Sequence, residues 1–235
     1  MIKLNDKENG GDILQKRLNI FCGHYGSGKT EVSLNFAIKL AKEGKKVTIV
    51  DMDIVNPYFR TADAKKILND YGIEMIASEF ANSNLDIPTV PQEVKKVFFD
   101  TDRVIIFDVG GDDDGAFALG QFNAFFQKDD YKMTLVVNTN RPLTGEMSEL
   151  YDMAKRIEFA SRLKFTDIAN NTNIGKLTDN KTLMSDYDEI VSLSEKLNLP
   201  ISMQCGLDVA LQDLGEEFSK EKFPMQIYIK MPWEI

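Results

Sequence analysis

Short apolar runs rich in β-branched residues recur along the chain, at Leu18–Cys22, Val47–Val50, Ile73–Ile76, Val104–Phe107, Thr134–Val137, Asp167–Asn170 and Ile201–Cys205. Most are apolar throughout instead of alternating, as strands buried on both faces of a parallel sheet are. Between them the apolar positions recur at helical spacing, which predicts helices near Ala62–Leu68, Pro91–Phe98, Gly115–Gln127, Gly145–Ala160, Lys181–Leu197 and Val209–Phe218. A further helix is predicted over Glu31–Glu43. There Val32, Phe36 and Leu40 form a stripe widened by Leu34, Ile38 and Ala41, and Gly44 stands where a helix stops. Strand–helix alternation of this kind predicts an α/β fold, a doubly wound and mostly parallel sheet flanked by helices, with ligands at the carboxyl ends of the strands. Residues 1–16 read as a polar arm, and 17–235 as a single domain without internal repeat or long linker. The tail Phe223–Pro232 reads as an edge strand between prolines.

The first strand and the first long helix are joined by Gly23-His24-Tyr25-Gly26-Ser27-Gly28-Lys29-Thr30, which matches G-x-x-x-x-G-K-[ST]. Glycines there allow the backbone to wrap a polyphosphate, so that successive N–H groups and the helix N-terminus face the anion. In this reading Lys29 reaches the β/γ-phosphates, Thr30 ligates Mg²⁺, and Glu31 opens the helix beside the nucleotide. Asp51 and Asp53 stand at the carboxyl end of the second predicted strand, and Asp108 ends the fourth, just before Gly110-Gly111. A strand-end Asp suits the water shell of Mg²⁺, an ion that uses few protein ligands. Asp108 is the first candidate and Asp51 the second. Asp53 is the candidate base that orients or deprotonates an attacking water, with capping of the next element as its plainer alternative. Gly110 and Gly111 let the chain swing toward a γ-phosphate, and Asp112-Asp113-Asp114 after them reads as a solvated turn.

Composition narrows the field. At 235 residues and 43% hydrophobic, the chain can bury a sizeable core. No apolar run approaches the ~18 residues of a membrane span, so no integral membrane association is expected. Met1–Asn9 lacks the apolar stretch of a signal peptide. Cys22 and Cys205, each ending an apolar run, read as buried thiols in a reducing cytoplasm. A net charge of −9 argues against general nucleic-acid binding.

With these pieces in place, residues 17 to about 115 resemble the MinD/ParA/CobQ group of P-loop ATPases, of the SIMIBI class with a deviant Walker A loop. The resemblance rests on Gly23–Thr30, Leu34-Asn35-Phe36-Ala37, Leu40-Ala41, Gly44–Val47, Asp51-Met52-Asp53, Asn56-Pro57-Tyr58-Phe59-Arg60 as first switch, and Asp108–Gly111 as second. It implies ATP or ADP with Mg²⁺, and a homodimer formed around two nucleotides. It also implies an adenine-reading Asn at the end of a later strand, where Asn171 is the first choice, Asn170 the second, and a turn-forming Asn cluster the alternative. No N-K-x-D guanine signature occurs, so ATP is favoured over GTP. The chain departs from the family at His24, which occupies the position of the signature lysine that reaches across the dimer. An imidazole is not a permanent cation, so the dimer is in question. His24 is then either a pH-sensitive substitute or a plain loop residue, with Arg60 and Arg141 as other sources of the charge.

These features lead to a Mg²⁺-dependent ATPase acting as a nucleotide-controlled switch for an unidentified protein partner or for self-association. The alternative is a metabolic small-molecule kinase or an ATP-dependent ligase of the dethiobiotin synthetase type. An exposed Phe122 or Phe126 after the second switch would give such a switch an apolar surface; otherwise both phenylalanines belong to the core.

Overall fold

The computed structural model describes residues 16–53, 62–77, 92–111, 113–141 and 147–229. The predicted strands form, within a few residues of their expected limits: β1 Leu18–Cys22, β2 Lys46–Met52, β3 Glu74–Ala77, β4 Arg103–Val109, β5 Tyr131–Val137, β6 Asp167–Asn170, β7 Ile201–Gly206 and β8 Lys222–Pro224. They build one eight-stranded sheet in the order β3-β2-β4-β1-β5-β6-β7-β8, parallel at every pairing. The strands look uniformly apolar because each feeds two cores. Leu18, Ile20 and Cys22 face one side, while Phe21 faces the other. The crossover places β4 between β2 and β1, so that the carboxyl ends of β1, β2 and β4 lie side by side, the expected place for a ligand in such a sheet.

Nine helices are seen among the described residues: α1 Lys29–Lys42, α2 Ala62–Asp70, α3 Gln92–Lys96, α4 Asp113–Gly120, α5 Asn123–Phe126, α6 Met147–Ser161, α7 Asn180–Leu183, α8 Tyr187–Leu197 and α9 Asp208–Leu211. Helices α1 and α2 cover one face of the sheet; α3 to α6 and α8 cover the other. Gly44 ends α1 in the left-handed region, at φ 82°. Its N–H donates to Ala41 O and that of Lys45 to Leu40 O, the paired bonds of a Schellman motif.

Three predicted helices are interrupted, each for a local reason. The stretch Gly115–Gln127 divides into α4 and α5 at Gly120, where a β-carbon would lie 2.7 Å from Ala160 O and whose own carbonyl accepts from Arg162. The stretch Lys181–Leu197 divides into α7 and α8. Asp179 caps α7 through Thr182 N–H at 2.8 Å, and the chain turns at Ser185 and Asp186. Val209–Phe218 keeps only α9 and a 3₁₀ turn at Glu216–Phe218, separated by Gly215. The predicted tail strand is shorter than expected. β8 ends at Pro224, the Met225 N–H still donates to Gly206 O of β7, and residues 226–229 leave the sheet for the flank of α1.

Phe122 and Phe126 are buried in an aromatic cluster with Phe98 and Phe107, so neither offers an apolar surface. Phe117 of α4 and Phe159 of α6, at 58% and 87% exposure, line one groove, and Phe99 stands exposed against Phe125 of α5.

A polar knot fastens β5, β6 and β7 to one another. Asp167 accepts from Thr134 at 3.0 Å, Thr166 at 2.8 Å, Lys132 at 3.0 Å, and the Ser202 hydroxyl, all with Lys132 and Asp167 buried. Replacing one member of a buried ion pair strands the other. Asp167→Ala is therefore expected to cost about 3–5 kcal/mol in urea denaturation, with part of the loss recovered by Lys132→Met combined with Asp167→Leu. A single-variant cost well below ~1 kcal/mol would show that the knot is not holding the strands.

Candidate functional site

Strand β1 ends at Cys22 and the chain enters the loop Gly23–Gly28 before α1 begins at Lys29. Gly26 and Gly28 adopt φ of 80° and 83°, a conformation that side chains oppose. Gly23 lies so close to β5 that a β-carbon would come within 2.3 Å of Val136 O. Ser27 N–H closes the loop on His24 O at 2.9 Å. No side chain caps α1, so its first N–H groups are left to an anion arriving at the loop. The Ser27 hydroxyl is buried inside the loop without a hydrogen-bond partner.

Below the loop, the strand-end carboxylates converge. Parallel pairing sets Asp51 of β2 in register with Asp108 of β4, and Asp51 accepts the Asp53 N–H at 3.0 Å. Lys29 Nζ pairs with Asp53 Oδ2 at 2.7 Å, both side chains being nearly sealed from solvent. Thr30 donates to Asp108 Oδ2 at 2.7 Å, and Ser33 to Asp108 Oδ1 at 3.3 Å. Burial opposes the charge on Lys29, but Asp108 and Asp53 outweigh it and hold the ammonium's pKa above its ordinary value. Burial acts the other way on Asp108 and pushes its pKa up to about 6 despite Lys29 and Thr30. Two of the three candidate metal-site residues, Thr30 and Asp108, thus touch, with the third, Asp51, beside Asp108 and the candidate base Asp53 on the ammonium.

The remaining candidates divide. His24 is partly exposed, with Nδ1 2.8 Å from Tyr25 O, and lines a small cleft with Glu149, Asp152 and Arg156 of α6. Tyr25 is exposed at the loop's tip. Arg141 donates from Nε to Gly26 O at 3.1 Å and lies along the loop, whereas Arg60 and the first-switch stretch 56–60 fall outside the described residues. Asn171 braces the loop from below. Its amide donates to Ser27 O at 2.8 Å, lies where a β-carbon on Gly28 would sit, and leaves Oδ1 buried and without a partner.

Two candidates need correction. Asn170 does not face the loop; its amide donates to Leu183 O at 3.1 Å and Gln204 Oε1 at 2.9 Å, because adjacent residues at a strand end point to opposite faces. Glu31 does not present its carboxylate to the phosphate subsite either; the oxygens accept N–H bonds from Tyr228 at 2.8 Å and Ile229 at 3.1 Å. That contact spans nearly the whole chain, and no local pattern announces it.

Beyond the loop lies a pocket whose walls are Gly26 and Gly28, Glu31, Arg141, Asn171, the turn at Gly175-Lys176, Leu207 after β7, Met225–Ile227 and Ile229. On the opposite side Gly111 rides against the loop. A β-carbon there would lie 2.1 Å from Gly23 O and 3.0 Å from His24 Cα. The Cys22 thiol donates to Gly110 O at 3.5 Å, and Cys22 and Cys205 are both buried and form no disulfide.

The profile of the CbiA family, the CobQ/CobB/MinD/ParA nucleotide binding domain, matches residues 22–210. Among solved structures, chloroplast FtsY from Physcomitrella patens aligns at 15% identity and TM-score 0.52, over 86% of this chain and 60% of that one. Cell division protein FtsY from Thermotoga maritima aligns at 19% identity and TM-score 0.52, over 85% and 65%. The chain thus spans under two thirds of the length of either, and the likeness to them is one of fold. No curated protein matches in sequence.

The raised pKa of Asp108 carries a stability prediction. Its folded pKa of about 6 lies above the ordinary 3.8, so the folded state binds the proton more tightly. Ionised Asp108 therefore costs stability above pH ~6, and the cost fades as pH falls toward ~4. Between pH 7 and 5 the unliganded protein should gain about 1–2 kcal/mol more than the Asp108→Asn variant in thermal or urea unfolding. Parallel pH profiles for the two proteins would contradict the assignment.

Proposed function

The chain belongs to the CobQ/CobB/MinD/ParA nucleotide-binding family and is a P-loop NTPase of the SIMIBI class, and from that premise we propose that it is a Mg²⁺-dependent ATPase whose nucleotide state governs the docking of a protein partner or of a second copy. The observation that carries the switch reading is the contact between Gly111 and the phosphate loop, with no room for even one added carbon. Helix α4 starts two residues later and exposes Phe117 beside Phe159. In this reading a γ-phosphate at the loop re-seats Gly110-Gly111, and α4 follows that movement.

In this reading the loop N–H groups and the start of α1 receive the phosphates. Lys29 exchanges Asp53 for them. That exchange frees the Asp53 carboxylate to orient the attacking water, so nucleotide binding itself arms the base. Thr30 is positioned to hold Mg²⁺ with Asp108 and Asp51 behind it, and the ion would neutralise phosphate charge. Arg141, already on the loop, supports a cation supplied from the same chain where His24 replaces the signature lysine. The orphaned Asn171 Oδ1 supports ATP over GTP, since an acceptor suits adenine's amino group and opposes guanine's carbonyl.

Removing Lys29 should weaken ATP binding or turnover by on the order of 3 kcal/mol, whereas Asp53→Ala should still bind ATP and hydrolyse it more slowly. Calorimetry and phosphate release test both; wild-type behaviour in either variant removes that residue from its role. For the switch, sedimentation with ATP, with ADP and without nucleotide should separate at least two assembly or partner-binding states. Identical profiles and partner affinities in all three conditions reject it.

A further inference from the structure

We propose that residues 225–229 form a strap that builds the nucleoside-contacting wall of the site, and that Glu31 is the positioning residue that holds it. The inference rests on the nucleotide reading above and extends it to residues that the family resemblance does not supply.

The strap is fixed through its backbone and through Met225 and Tyr228, whose side chains pack on the core beside α1. Asn35 makes a two-point clamp on Gln226, donating from Nδ2 to its carbonyl at 2.9 Å and accepting its N–H on Oδ1 at 2.8 Å. Glu31, one helical turn earlier, accepts the next N–H groups, with Oε1 2.8 Å from Tyr228 N and Oε2 3.1 Å from Ile229 N. With the Met225 N–H still donating to Gly206 O of β7 at 2.8 Å, these two side chains supply partners for the N–H groups of Gln226, Tyr228 and Ile229 and for the Gln226 carbonyl as the chain leaves the sheet. Charge-assisted bonds from a carboxylate are the stronger part of that attachment. Burial raises the Glu31 pKa, in keeping with a carboxylate drawn into the interior to make them.

Holding the backbone from one side directs side chains into the pocket. Met225, Ile227 and Ile229 line it across from Leu207, giving an apolar slot that opens onto Gly26 and Gly28 of the phosphate loop. A slot of this chemistry, in line with a phosphate cradle, suits the base and ribose of a nucleoside triphosphate. Helix α1 therefore serves both halves of one ligand: its first turn faces the phosphates, and Glu31 and Asn35 set the wall for the nucleoside.

The test separates those halves. Calorimetry with Mg²⁺ present compares ATP with inorganic tripolyphosphate on the wild-type protein, Glu31→Ala and Glu31→Gln. Losing the carboxylate should weaken ATP by about 10- to 100-fold and leave tripolyphosphate affinity unchanged; Glu31→Gln, which keeps one acceptor, should fall between. Ile227→Asp, at a partly exposed position, should show the same split should Glu31→Ala not fold. Unchanged ATP affinity in Glu31→Ala and Ile227→Asp overturns the strap while the nucleotide reading survives. Equal losses for both ligands overturn it too, because Glu31 would then act on the loop or the fold. No ATP binding by the wild-type protein overturns the nucleotide reading, and the strap with it.

Discussion

Among the described residues, one ammonium group serves a cluster of three buried carboxylates, and the arrangement of the site follows from that imbalance. Asp51, Asp53 and Asp108 are each almost inaccessible; Lys29 pairs with Asp53 and is held charged by Asp108, with Asp51 in register beside Asp108. Two strand ends and one helix start must meet to assemble the group, so the β2–β4 register and the β1–α1 junction are fixed together. Burying charge is costly unless it is paired, and the excess of negative groups makes the crevice a poor receptor for a bare polyanion. A triphosphate that arrives with its divalent cation meets no such objection. On the function proposed above, these electrostatics favour a metal–nucleotide complex over the free nucleotide as the entering species.

Much of this was legible in the sequence, for reasons that differ by element. Strands buried on both faces leave continuous apolar runs, and a phosphate loop has fixed spacing between neighbours in the chain, so β1, the loop and α1 could be read directly. The carboxylates were legible because each ends an apolar run. Interruptions of helices were not, since the break between α4 and α5 depends on a carbonyl of α6 pressing on Gly120. Asn170 and Asn171 are the same residue type, side by side; only the direction of the strand end separates the one that braces the loop from the one turned into the sheet. The role of Glu31 depended on a partner almost 200 positions away, and no pattern local to α1 encodes it.

The surfaces on either side of the loop behave differently. Toward α4, contact is made by glycine backbone against glycine backbone, a junction with no slack and therefore suited to transmitting a displacement. Toward β6 and β7, contact is made by side chains around an apolar slot suited to a flat ring. His24 faces neither crevice nor slot but the polar flank of α6, together with Glu149, Asp152 and Arg156. The glycine loop thus meets backbone on one side and an apolar slot on another, and the chain's departure from its family falls on a third.

The tail is held both by its peptide groups, through Glu31 and Asn35, and by Met225 and Tyr228, whose side chains pack on the core beside α1. Ile227 and Ile229 are not part of that packed cluster, and both line the slot. They can be exchanged without loosening the hold, so long as proline is kept from the gripped N–H positions. Anchorage and the lining of the slot are thereby divided between neighbouring residues, and an engineer can reshape the slot at two positions while the phosphate loop stays untouched.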